Sequence, residues 1–290
     1  MSFDQVRIAA VQMNPKIGET ETNLLTILDR LQEVAKNGAK LVVFPECALS
    51  GYGFGSRLEA LAQAESIPGP SVDRVADACR NLNVSCIFGL LERDGNHLFN
   101  ACVLIGPKGV VGSYRKIHLP FLGVDRFVDP GDRDYAIHEA EGIKIGMHIC
   151  YDGAFPEPPR VLTLLGAELL VLPTNWPTHS ENAAEHMMSC RALENVVYTI
   201  AVNRVGEESG FKFIGRSSIM DTAGNRLAFA SPEAEEILYA EIEPAVARQK
   251  KLIRRPGLHE IDRIADRRPG FYQAIVKEDI IRGTAGTLSA

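Results

Sequence analysis

Short apolar runs that stop abruptly at turns alternate with stretches of helical periodicity along this chain, and that alternation points to a mixed α/β fold. Residues 6–13 are β-rich and end at Asn14-Pro15, so they read as a strand closed by a turn. Over residues 20–36, Leu24, Leu25, Ile27, Leu28, Leu31 and Val34 recur at helical spacing before Asn37-Gly38, which predicts an amphipathic helix. Leu41-Val42-Val43-Phe44 is then a continuous apolar run, as expected for a strand covered on both faces. The opening is β-α-β.

Pro68-Gly69-Pro70-Ser71 starts a second helix to residue 82, with Ser71 as the expected N-cap. Residues 84–91, 98–105 and 110–114 read as strands joined by the turn signals Asp94-Gly95-Asn96 and Pro107-Lys108-Gly109. A strand over 143–150, a helix over 156–165 and a strand over 169–172 make a second β-α-β unit. A helix over 182–195, a strand over 196–203, a hairpin of 217–221 with 226–230 and a strand over 236–242 follow. No linker divides these elements, so residues 1–255 are expected to form one domain. Residues 256–290 carry few periodic apolar side chains, and this tail is expected to pack on a neighbouring subunit. Two strand-helix units flanking hairpins suggest two stacked sheets with helices outside, while periodicity alone leaves a single doubly wound sheet open.

With 31 Lys+Arg against 37 Asp+Glu the net charge is −6, which offers no basic field to a nucleic acid. The longest apolar stretches, such as residues 196–202, are far short of the roughly 18 residues a membrane span requires. MSFDQVRIAA lacks the basic and apolar regions of a secretory signal, so a soluble, cytoplasmic protein without membrane association is expected. Cys47, Cys79, Cys86, Cys102, Cys150 and Cys190 are scattered without a CxxC pair, which suits reduced thiols.

The chain has no GxGxxG after its first strand, no GxxxxGK[ST], no HExxH and no GxSxG, so nucleotide-binding, zincin and serine-hydrolase readings lose support. His186 and Cys190 lie four apart near His179, but one helical pair without a second does not make a metal site, and no metal is expected. The informative residues are polar ones where apolar strands end. Glu46 follows such a run, where a carboxylate is costly unless it has a partner or a task. Cys150 closes a strand before a turn into a helix, whose amides favour a thiolate. Lys116 follows the strand at 110–114. Together they fit covalent acyl chemistry: a thiol nucleophile, a carboxylate to take its proton, and an ammonium with the Tyr151 amide to hold an oxyanion. A capping or salt-bridged Glu46 and a surface Lys116 are the structural alternatives, and spacing alone leaves the convergence of the three open.

The segments Phe44-Pro45-Glu46, Tyr114-Arg115-Lys116-Ile117-His118-Leu119 and Ile149-Cys150-Tyr151-Asp152, in that order, resemble the nitrilase superfamily of carbon-nitrogen hydrolases. Phe155-Pro156-Glu157, Pro173-Thr174-Asn175-Trp176-Pro177, Arg191-Ala192-Leu193-Glu194-Asn195 and Phe213-Ile214-Gly215-Arg216-Ser217-Ser218 extend the resemblance over nearly the whole chain. It implies a four-layer α-β-β-α sandwich, a homodimer or higher homo-oligomer, a Glu-Lys-Cys triad and no cofactor. Carried onto this sequence, Glu46 is the general base, Lys116 stabilises the oxyanion and Cys150 forms the thioester or thioimidate. Many members place a second Glu between the Lys and the Cys. Here residues 122–131 contain no Glu, and Asp125 is the candidate substitute, with a structural salt bridge as the other reading. His148, two residues before Cys150, is expected on the same strand face, which opens a Cys-His alternative beside a hydrogen-bonded core His. His118 is expected to fix the Lys116 loop.

True nitrilases of the superfamily typically carry Trp-Glu after the Cys. Tyr151-Asp152 is instead similar to the amidase branches, which favours a small linear carboxamide over N-carbamoyl (ureido) compounds and nitriles. Tyr52, Phe54, Phe121, Tyr151 and Trp176 are candidates to line an apolar substrate pocket, each also explicable as packing. Arg126 and Arg160 are candidates for a substrate carboxylate beside structural roles. A catalytically inactive member of the fold that binds a metabolite or partner protein is the non-enzyme alternative.

Overall fold

A strand that sends Ile8 and Ala10 to one side and Ala9 and Val11 to the other can join two different cores, and β1 (Val6–Gln12) does so. The computed structural model describes residues 5–277, which fall into two compact units, 5–249 and 250–277. In chain order the first unit continues with β2 (Leu41–Val43), β3 (Ser85–Asp94), β4 (His97–Gly106) and β5 (Gly109–Arg115). There follow β6 (Ile137–Ala140), β7 (Ile143–Met147), β8 (Leu169–Pro173) and β9 (Tyr198–Val202). A two-residue ladder of β10 (Glu207–Glu208) with β11 (Phe211–Lys212) precedes β12 (Ser218–Met220), β13 (Arg226–Phe229) and β14 (Glu236–Ile242).

Two six-stranded sheets result, ordered β14-β1-β2-β3-β4-β5 and β13-β12-β9-β8-β7-β6. Each has a parallel centre, β1-β2-β3 or β7-β8-β9, extended by antiparallel neighbours. Their facing sides form one core, in which Ile8, Val43, Ile87 and Leu104 meet Ile145, Val171, Ile200 and Ile219. The other side of the first sheet is covered by α1 (Thr20–Lys36), through Leu24, Ile27, Leu31 and Val34, and by α3 (Pro70–Leu82), through Val72, Val75 and Cys79. The short α2 (Arg57–Leu61) lies between them in sequence. On the second sheet, α4 (Glu157–Leu164) packs Leu162 against Leu170 and Val197, and α5 (Met188–Asn195) accepts a hydrogen bond at Met188 O from the outward Thr199 hydroxyl. The layers are α-β-β-α, which settles the choice against one doubly wound sheet.

Local departures from the sequence reading have local causes. The cap of α3 is Gly69, not Ser71: Pro70 occupies the first turn and the Ser71 amide donates to Glu65 Oε2 at 3.1 Å. The helix expected over 182–195 starts with a π-helical turn, Ala183–Met187, before α5. The strand β6 has no counterpart in the sequence reading, because Ile137–Ala140 alternates too briefly to register. In the second unit β15 (Lys251–Arg255) pairs with β16 (His259–Asp262). Residues 278–290 of the expected tail lie outside the described residues. No helix among the described residues is long and apolar enough to cross a membrane.

His148 does not share a face with Cys150. Met147 and Ile149 belong to the core between the sheets, so His148 points to the helix side, as does Gly146, whose Cβ would meet Leu162 and Ala167. The alternation then ends at Cys150, whose backbone is left-handed at φ 46°.

Two expected outcomes follow from this packing. A Cβ at Gly89 on β3 would lie 2.4 Å from Cys47 N and 2.7 Å from Glu46 Cα, both backbone atoms that cannot swing aside. Gly89→Ala should therefore lower stability by about 1–3 kcal/mol, read as the urea midpoint at unchanged m-value. His148 is fully buried with both ring nitrogens unpartnered, and burial holds it down at about 4, against 6.5 for a free imidazole. The unfolded chain binds a proton below pH 6.5 that the folded chain refuses until about 4, so stability should fall with pH across that window, by about 3 kcal/mol in total. His148→Leu should flatten this limb; an unchanged slope would assign the acid sensitivity to other groups.

Candidate active site

The carboxyl ends of parallel strands are where α/β folds gather ligands, because the chain leaves the sheet there and exposes its turns. Glu46 follows β2, Cys150 follows β7, and Thr174 and Asn175 follow β8, while Lys116 follows the antiparallel β5. The Asn175 side-chain amide donates to Glu46 O at 3.0 Å, which ties the β8 end of one sheet to the β2 end of the other.

Glu46, Lys116 and Asp125 form a buried cluster. Lys116 Nζ donates to Glu46 Oε1 at 2.7 Å and to Asp125 Oδ2 at 2.5 Å, and all three side chains are fully shielded from solvent. Asn100, a polar residue in the apolar run of β4, divides its amide hydrogens between Glu46 Oε1 at 2.7 Å and Asp125 Oδ1 at 2.8 Å. The Tyr52 hydroxyl donates to Asp125 Oδ2 at 2.8 Å. Glu46 Oε2 alone in this cluster has no partner.

One ammonium faces two carboxylates, and that imbalance governs the charges. Burial opposes the Lys116 charge, but Asp125 and Glu46 outweigh it and hold the ammonium well above its ordinary range. Burial raises the Glu46 carboxyl; Lys116 pulls it back and Asp125 pushes it up again, with a net upward shift. Cys150 begins a 3₁₀ turn, Cys150–Ala154. Burial pushes its thiol up to about 12 and Glu46 adds to the rise, while Lys116 and the Asn175 backbone amide pull it down. Cys150 therefore shares its electrostatic surroundings with both Glu46 and Lys116.

The structure thus brings Glu46, Lys116, Asp125 and Cys150 together and treats the expected pocket aromatics differently. Tyr52 is buried, held by its hydroxyl at Asp125 and by its backbone amide at Glu208 Oε1, 2.8 Å away. Trp176 is buried in the core between the sheets, with its amide on Asn203 Oδ1 at 2.8 Å. Phe54 is buried as well, whereas Tyr151 is 41% exposed and Phe121 91% exposed, outside the buried cluster. Arg126 donates to Gly123 O and Phe54 O, and Arg160 to Glu194 O, so both have backbone partners. His118 does fasten its loop: its amide and Nδ1 contact Asp152 Oδ1 at 3.0 and 2.7 Å. Neither nitrogen of His148 is hydrogen-bonded, to Cys150 or elsewhere. Among the described residues no group of His, Cys, Asp and Glu is arranged to hold a metal ion.

Sequence reasoning missed Asn100, Tyr114 as a hydrogen-bond donor, and Glu208. The first had a visible signal, an amide inside an apolar strand. Glu208, buried against Arg204 at 2.8 Å, had none, since Glu207-Glu208 reads as an ordinary charged turn.

Comparison with known proteins adds to this geometry. A family model described as carbon-nitrogen hydrolase matches residues 7–251. A protein named nitrilase from Pyrococcus abyssi is 40% identical over 268 residues, covering 92% of this chain and 99% of its own. An (R)-stereoselective amidase from a Pseudomonas species is 33% identical over 224 residues, 77% of this chain and 80% of its own. The crystal structure of an amidase from a Nesterenkonia species superposes with a TM-score of 0.79 over 95% of this chain and 98% of its own, at 22% identity, a likeness of fold. The chain belongs to the carbon-nitrogen hydrolases of the nitrilase superfamily.

Proposed function

We propose that the protein hydrolyses a small linear carboxamide through a Cys150 acyl-enzyme and releases ammonia. The observation that carries this reading is the free oxygen of Glu46: Oε1 is occupied by Lys116 and Asn100, while Oε2 is buried and unpartnered, and the Cys150 thiol, which feels the Glu46 charge, is pushed up to about 12 by burial. A thiol held near 12 needs a base at the moment of attack, and an upward-shifted carboxylate is suited to taking and returning a proton.

Glu46 takes the Cys150 proton as sulfur attacks the carbonyl carbon. The resulting oxyanion is met by Lys116 Nζ and the Tyr151 amide. The tetrahedral species collapses by breaking its carbon-nitrogen bond, and the nitrogen leaves as ammonia with the proton from Glu46. Water, deprotonated by Glu46, then attacks the thioester, and the acid departs as the thiol is reprotonated. Asp125 is assigned to holding Lys116 charged and aimed, with Tyr52 and Asn100 fixing Asp125 in turn. Tyr151 and Phe121 fit the rim of the substrate entrance, and Tyr52 and Trp176 its buried wall. The exposed apolar side chains Leu258, Phe271 and Val276 support a homodimer or larger assembly in which the 250–277 unit packs on a second copy.

A second reading, nitrile hydrolysis through a thioimidate, is favoured by the name of the Pyrococcus abyssi relative, nitrilase. Ammonia release should be measured over matched amides, nitriles and ureido acids. Turnover of amides without the matching nitriles is the expected result; the reverse pattern would select the second reading. Cys150→Ala, Glu46→Gln and Lys116→Ala should each lower kcat per folded molecule by at least about 1000-fold, and hydroxylamine should trap the acyl group as a hydroxamate. Turnover by Cys150→Ala would reject the acyl-enzyme, and turnover by Lys116→Ala its oxyanion role.

A further inference from the structure

Lys116 lies between two residues fastened to the same carboxylate. Asp152 Oδ2 accepts from the Tyr114 hydroxyl at 2.8 Å, and Asp152 Oδ1 is met by the His118 amide at 3.0 Å and by His118 Nδ1 at 2.7 Å. Asp152 Oδ2 also accepts from the Ile149 amide at 2.9 Å, next to Cys150. The two ends of this clamp belong to different sheets: Tyr114 is on β5 and Ile149 follows β7.

Four contacts, two on each oxygen, saturate a fully buried carboxylate. Burial works against its charge, but the His118, Ile149 and Tyr114 bonds prevail and hold it below the usual carboxylate range. Because an ionised carboxylate only accepts, His118 carries its hydrogen on Nδ1. The imidazole is further steadied by stacking on Phe155, with ring centroids 4.1 Å apart. Cys150 itself sits at a left-handed φ of 46°, a conformation that a non-glycine residue keeps only when its surroundings impose it.

We propose that Asp152 is a positioning residue whose carboxylate sets the spacing between the Cys150 turn and the Lys116 segment across the two sheets. The proposal rests on the reading of Cys150 as nucleophile and Lys116 as oxyanion donor. Asp152 acts through them and touches no reacting atom. The link from Asp152 to the thiol is geometric: Asp152 holds the Ile149 amide, one residue before Cys150, at 2.9 Å.

The test uses the full chain and the amide it turns over best, with Asp152→Asn, Tyr114→Phe, His118→Ala and Cys150→Ala. An Asn at 152 turns an N–H toward donors that now find an acceptor. Asp152→Asn should lower kcat by about 100-fold per folded molecule, the effect of a misplacement of about 1 Å, with KM within about threefold. The pH profile of Cys150 alkylation by iodoacetamide should shift with it, while the thermal midpoint moves by less than about 8 °C. Tyr114→Phe and His118→Ala, which leave the carboxylate in place, should each lower kcat by about three- to tenfold.

A wild-type kcat per folded molecule and an unmoved alkylation profile in Asp152→Asn would overturn the proposal and leave a purely structural carboxylate. Should Asp152→Asn fail to fold, unchanged kcat in both Tyr114→Phe and His118→Ala would overturn it, and the expected losses would uphold it. Turnover by Cys150→Ala would fell the catalytic reading instead. In that event the alkylation profiles of the clamp variants still decide whether Asp152 sets the surroundings of the thiol.

Discussion

A single buried ammonium bound to two carboxylates is the constraint around which this protein is organised. Lys116, Glu46 and Asp125 are fully shielded from solvent, and an ion pair removed from water needs further hydrogen bonds on its carboxylates to offset the cost of burial. Asn100 and Tyr52 supply those donors, from the middle of β4 and from the loop after β2. The Tyr52 loop needs its own anchor. Glu208 provides it by accepting from the amides of Tyr52 and Gly53, and Arg204 neutralises Glu208 in turn. The polar network runs outward from Lys116 until it ends in groups with no lone pair left bare, apart from Glu46 Oε2.

The sandwich makes such a network attainable because both of its sheets have a parallel centre. Parallel strands release the chain at one edge, so β2, β7 and β8 deliver an acid, a sulfur and an amide without long excursions. The sheets meet through alternating apolar side chains, a contact that carries little directional information. Asn175 on Glu46 O, and Tyr114 and Ile149 both on Asp152, are among the hydrogen bonds that link the two edges.

Much of this was legible in the sequence where a periodic signal had room to repeat. The seventeen-residue α1 and the ten-residue strands β3 and β4 announce themselves by spacing, whereas β6, four residues long, does not. The residues of the site were visible one at a time, as polar side chains at the ends of apolar runs. Their convergence was not, because no local pattern encodes which strand ends share an edge, and it entered only through the order of several short segments. His148 shows where the period-two rule stops: one left-handed residue, Cys150, separates two side chains that strict alternation would place together. Phe121 shows a different limit, since an aromatic residue beside a functional loop is equally compatible with a buried wall and with the 91% exposure found.

The cysteines sharpen what the site contributes beyond burial. Burial raises the thiols of Cys47, Cys86 and Cys102 as it raises Cys150, so shielding alone separates none of them. Cys47 is the informative contrast, because it adjoins Glu46 and feels the same cluster. Its sulfur contacts Asn100 Oδ1 at 3.6 Å, an acceptor that favours the neutral thiol, and burial, Glu46 and Asp125 push it up against the pull of Lys116. Glu46 raises Cys150 as well, while Lys116 and the Asn175 backbone amide pull its thiol down. Two thiols near one carboxylate thus differ in their polar neighbour: Cys47 meets an acceptor at Asn100 Oδ1, and Cys150 is pulled down by a donor, the Asn175 backbone amide.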